Sequence, residues 1–94
     1  MTPVLVCTNM RGVVFGYTED ATARPITLNN ARMCLSWTEE VGGVFGLADI
    51  GPTGRCRISA QAPSVTLEGI TAVFKCTDAA VEAWKAANVE GRKG

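Results

Sequence analysis

The chain has 94 residues, 47% of them apolar, with nine basic and nine acidic side chains and no histidine. That size makes one domain over residues 1–94, near the lower limit for a self-supporting core. Zero net charge excludes the basic excess that general nucleic-acid coating needs. Without histidine the chain lacks the commonest general base, metal ligand and pH switch, so no enzyme activity, metal site or cofactor is expected.

Residues 4–8 are rich in β-formers, and Asn9-Met10-Arg11-Gly12 supplies turn chemistry before a second strand over 13–18. The pair reads as a hairpin. On its second strand Val13, Phe15 and Tyr17 share one face, and Gly16 marks a bulge, a bend or a close backbone approach. A polar loop over 19–25 leads to a short strand at 26–28, where Asn29-Asn30 either turns the chain or caps a helical turn. The alternation of Met33, Leu35 and Trp37 with Arg32, Cys34 and Ser36 favours a strand over 32–38, with a helix over 31–37 as the alternative.

After a loop at 39–43, residues 44–48 read as a strand and Gly51-Pro52-Thr53-Gly54 as a turn. A further strand over 55–59 would place Arg55 and Arg57 on one side, because alternate residues of a strand share a face. Pro63 ends that segment, and 65–67 and 70–76 complete the strands around Glu68-Gly69. Thr77 then caps a helix whose first turn holds Asp78 and whose apolar stripe is Ala80, Val81, Trp84 and Ala87. Asn88 and Gly91 end it, leaving 88–94 as a frayed tail. The expected fold is therefore mainly β (α+β): a small, strongly bent antiparallel sheet or partly open β-barrel with one C-terminal α-helix.

Cys7, Cys34, Cys56 and Cys76 form no C-x-x-C pair. The first residues lack the basic region and apolar length of a signal peptide, and no run is long enough for a membrane helix. An intracellular chain with reduced cysteines, acting as small buried hydrophobes, is the expectation.

Five residues carry the candidate binding chemistry. Arg55 and Arg57, joined by Arg32 from a neighbouring strand, suit phosphate or carboxylate, and Tyr17 and Trp37 suit a flat ring. Each has a plainer reading: a solvated strand face with surface pairs to Asp49 or Glu68 for the arginines, core packing for the rings. Gly42-Gly43-Val44-Phe45-Gly46 lacks the Lys-Ser/Thr and helix of a phosphate loop and reads as a hinge or bulge. Glu39-Glu40 and Glu19-Asp20 read as solvated loop carboxylates.

Residues 11–17, Asn30-Ala31-Arg32-Met33-Cys34 with Trp37, Gly43-Val44-Phe45-Gly46-Leu47-Ala48 with Gly51-Pro52, Cys56-Arg57-Ile58 and Ala80-Val81-Glu82-Ala83-Trp84 resemble a family of short proteins. That family is encoded by tailed phages and prophages and is carried as a domain of unknown function. The resemblance covers roughly residues 4–84. It implies a viral gene product in the host bacterial cytoplasm and transfers no catalytic residue. The expected function is a non-enzymatic phage accessory protein, homo-oligomeric, that binds a small anionic, nucleotide-like host ligand or a host protein, for instance as a sponge for immune signals. The alternative is a structural or assembly module acting by self-association or virion contacts. No membrane partner is expected.

Overall fold

The computed structural model describes residues 1–10 and 12–87, so the expected tail over 88–94 lies outside the described residues. Among them the chain forms β1 (Thr2–Thr8), β2 (Val13–Thr18), β3 (Ile26–Ser36), a 3-10 turn (Glu39–Val41), α1 (Gly43–Asp49), β4 (Arg57–Ile58), β5 (Ala62–Leu67), β6 (Ile70–Lys75) and α2 (Asp78–Ala86). The six strands make one antiparallel sheet in which β2 lies between β1 and β3, and β6 flanks β1. On its other side β3 pairs with β5 through residues 26–31 and with β4 at Cys34 and Ser36. Two residues join β5 to β6, yet these strands stand on opposite outer edges. The sheet must therefore curl towards itself. No ladder closes it among the described residues, and it remains an open, bent sheet with a C-terminal helix.

Strict alternation along β1 and β2 gives the sheet two apolar faces. Val4, Val6, Val14, Ile26, Leu28 and Ala31 pack inside the curl. Leu5, Val13, Phe15 and Cys34 face outwards, where Leu47 and Ala48 of α1 and Ala80 and Trp84 of α2 cover them. Thr77 fixes how the two helices meet. Its Oγ accepts the Ala80 N–H at 3.1 Å, its hydroxyl donates to the Asp49 carbonyl, and its N–H donates to the Ala48 carbonyl at 3.1 Å. The stripe on α2 docks as its spacing requires, with Ala80 and Trp84 fully buried.

Several local expectations are corrected. Residues 44–48 are not a strand: they lie in α1, with Val44, Leu47 and Ala48 turned to the core at helical spacing and Phe45 exposed. A five-residue apolar run carries no periodicity that separates strand from helix. The strand expected over 55–59 shrinks to Arg57–Ile58, with Arg55 in the preceding turn. Strands 26–28 and 32–38 are one strand, with no helix at 31–37. Pro63 sits inside β5, where an outer strand needs no N–H from it.

What interrupts β3 is a bulge. Phe15 pairs with Arg32 but Tyr17 with Asn29, so β3 carries one extra residue opposite Gly16. Asn30 takes a φ of 50° there, and a Cβ on Gly16 would stand 2.8 Å from the Leu28 Cβ. Gly46 is as confined, since a Cβ on it would run into the Val41 carbonyl group. Gly46→Ala is therefore expected to push α1 off the 3-10 turn and cost roughly 1–3 kcal/mol. Chemical denaturation measures that loss; an unchanged midpoint would show that α1 is not held against Val41.

Candidate functional site

The extra residue in β3 and the end of α2 leave a cleft of about 350 Å³ between them. Phe15, Tyr17 and Trp84 provide its rings, Asn30 and Gln61 its amides, and Arg32, Lys85 and Met1 the remainder. Phe15 stacks parallel on Trp84 with centroids 5.2 Å apart, and Tyr17 meets Phe15 edge-on at 5.4 Å. The Trp84 indole N–H donates to the Leu47 carbonyl at 3.0 Å, which fixes the ring plane. Among the described residues none of the lining side chains is acidic.

Arg32 is 5% exposed, which the sequence reading did not anticipate. The bulge turns it from the inner face to the side of α2, where it closes the helix end. Its Nη1 donates to the carbonyls of Trp84 at 2.8 Å and Ala87 at 2.7 Å, while Nε and Nη2 both reach the Ser59 carbonyl, at 3.2 and 3.1 Å. Cations favour a helix C-terminus because its last carbonyls are unpaired and carry partial negative charge. Burial lowers the Arg32 pKa from its ordinary value, but an arginine so lowered still holds its proton. Neutral carbonyls satisfy its donors without cancelling its charge. Lys85 adds a second cation at the rim of the cleft, and its pairing with Glu82 at 3.6 Å is exposed and weak.

The five expected site residues do not converge. Tyr17 and Arg32 line the cleft. Trp37 and Arg55 line a shallow hollow with Thr38, Glu39 and Glu40, and Arg57 stands exposed at the start of β4. Arg55 and Arg57 are no two-pronged strand face, because Arg55 lies in the turn before β4; Ile58 turns into the core, as expected of the opposite face. Arg55 approaches Glu40 at 3.9 Å. The Thr38 hydroxyl, ahead of a backbone hydrogen bond and the Thr53 hydroxyl at 2.8 Å, holds the Glu40 carboxyl below its usual range. A carboxylate thus already occupies the anion side of that hollow. Nothing in the sequence marks Gln61 or Lys85 as cleft residues, and the spacing of α2 marks Trp84 only as part of its buried stripe.

All four cysteines are free. Cys34 is buried, and its thiol is pushed up to about 12 by desolvation and then by the neighbouring Cys56. Burial likewise pushes Cys76 up to about 11. Among the described residues no group of three or more His, Cys, Asp or Glu side chains is placed to hold a metal ion. No helix among them is long and apolar enough to cross a membrane.

Residues 1–84 match a family described as "Domain of unknown function (DUF6948)". No curated protein and no solved structure is significantly similar to the chain.

Proposed function

The chain belongs to that family of unknown function, and we propose that it acts as a non-enzymatic binding module for a small, flat, anionic ligand of nucleotide-like chemistry. The observation that carries this reading is the cleft itself: three rings, two cationic side chains and, among the described residues, no carboxylate in the lining of one 350 Å³ space. Tyr17 stacks the flat part of the ligand, Lys85 meets its charge at the rim, and Arg32 contributes its field while holding α2. Stacking on an aromatic ring supplies about 1–3 kcal/mol per base and tolerates different rings. Asn30 and Gln61 offer the amide groups that select among them.

The resemblance to short proteins of tailed phages and prophages supports the finer form of this reading. The protein is then phage-encoded, works in the cytoplasm of the host bacterium, and withdraws a nucleotide signal of host defence. Calorimetry against cyclic and linear nucleotides tests it. Tyr17→Ala and Lys85→Glu are each expected to weaken binding roughly tenfold or more, while Arg55→Ala leaves it unchanged. Absence of any heat or melting shift at millimolar nucleotide would overturn it.

A second reading, assembly through self-association or virion contacts, is favoured by another observation. Met33 and Leu35 share one side of β3 at 37% and 47% exposure, and Trp37 follows just past its end at 37%. Water contact with three large apolar side chains in a row is what a subunit contact relieves. Sedimentation of Leu35→Glu against the parent chain distinguishes the two readings, since only an assembly built on this stripe dissociates.

A further inference from the structure

We propose that Cys34 and Cys56 are a dithiol–disulfide pair, oxidised by a low-molecular-weight disulfide to an intramolecular cystine that ties β3 to the loop before β4. Neither the cleft nor its ligand is involved, so this inference stands apart from the binding reading.

Geometry selects these two among four thiols. Cys56 packs against the cluster that contains Cys34, and its thiol is near enough to raise the Cys34 pKa. Ile58 pairs with Cys34 across the β3–β4 ladder, which puts Cys56 two residues back along that ladder. The chain bends at Cys56, one residue before β4, and the side chain packs against the cluster that holds Cys34. Two other pairings are out of range. Cys7 is opposite Ala72, so Cys76 is four residues further along β6, about 13 Å away. Cys7 and Cys34 are separated by β2, about 10 Å across two strand spacings. A disulfide needs Cα atoms within about 7 Å.

Access is as unequal as the roles require. Cys34 is 4% exposed. Cys56 borders a groove of about 290 Å³, walled by Pro52, Thr53 and Gly54 on one side and by Ala83 and Ala86 of α2 on the other. These small side chains leave room for a compact disulfide reagent, and the Thr53 hydroxyl lies 3.7 Å from the Cys56 sulfur.

The exchange then balances in two steps. The Cys56 thiolate attacks one sulfur of the reagent; that S–S bond breaks, and the departing thiolate takes up the proton Cys56 gave up. Cys34 next attacks the Cys56 sulfur, the mixed disulfide breaks, and the Cys34 proton goes to the second departing thiolate. In sum, the protein dithiol and one small disulfide give a protein cystine and two small thiols. The buried Cys34, whose thiol proton is held at about 12, is the slower, resolving partner.

The test treats the full-length chain with oxidised glutathione and reads it by non-reducing mass spectrometry and peptide mapping. The expected product has lost the mass of two hydrogens, carries no glutathione, yields a Cys34–Cys56 cross-linked peptide, and keeps two thiols reactive to maleimide after unfolding. Its melting midpoint should rise by roughly 10 °C. Cys34→Ala is expected to stop at a stable glutathione adduct on Cys56, whereas Cys7→Ser with Cys76→Ser still forms the cystine. A lasting adduct on Cys56 of the parent chain, a linkage that includes Cys7 or Cys76, or four thiols still free would each overturn the proposal.

Discussion

Trp84→Ala is expected to cost about 3–5 kcal/mol, a large share of the 5–15 kcal/mol that holds a domain of this size together. The indole is fully buried, stacks parallel on Phe15 at 5.2 Å, and donates to the Leu47 carbonyl of α1 at 3.0 Å. One truncation therefore opens a cavity between α2 and the sheet, removes a ring pair and strands a carbonyl at the helix–helix contact. Urea unfolding should show a midpoint lower by roughly 2 M. A loss below about 1 kcal/mol would mean that the site collapses around the gap, or that α2 is not seated on β2. Trp84→Phe keeps a flat ring over Phe15 and is expected to recover more than half of the loss.

The second large effect belongs to Arg32→Lys, a change that preserves charge. Three carbonyls from two separate segments, Ser59 on one side and Trp84 and Ala87 on the other, share one planar guanidinium. An ammonium offers three donors from a single atom and cannot span that arrangement, so at least one buried carbonyl loses its partner. The expected cost is about 2–4 kcal/mol in the ligand-free protein. Native-state hydrogen exchange localises it: amides in the last turn of α2 should exchange faster, while those of β1 and β2 shift only with the overall stability. If Arg32→Lys keeps full stability, the guanidinium is not the clasp of α2. Its place would then be as a direct ligand group in the cleft.

These two residues also show what could be read from the sequence. The sequence puts Trp84 on the buried stripe of a helix capped by Thr77, because the capping hydroxyl, the acidic first turn and the apolar spacing all lie within ten residues. The β1–β2 hairpin was legible for the same reason: alternation and turn chemistry are local. Arg32 was not. Its face is set by one extra residue opposite Gly16, and its partners are 27 to 55 positions away in sequence. A bulge reverses the inside-outside assignment of everything beyond it, so strand alternation could not assign Arg32 a side. Residues 44–48 failed differently. A short apolar run satisfies helix and strand equally, and its position against Val41 and Thr77 decided the outcome. The arginine pair failed because a two-residue strand has no room for alternation: Arg55 falls in the turn before it.

The pairing of β1 with β6 sets the order in which this molecule can be completed. Val6 lies opposite Val73, so the first strand made is the last to find its outer neighbour. During synthesis the β1–β2–β3 meander emerges with the β1 flank bare and its outer face unroofed, and neither is satisfied until residues 70–86 have been made. Contacts this remote in sequence make folding slow relative to chain length. The interval before the terminal helix arrives is when the nascent chain is most open to strand-to-strand aggregation.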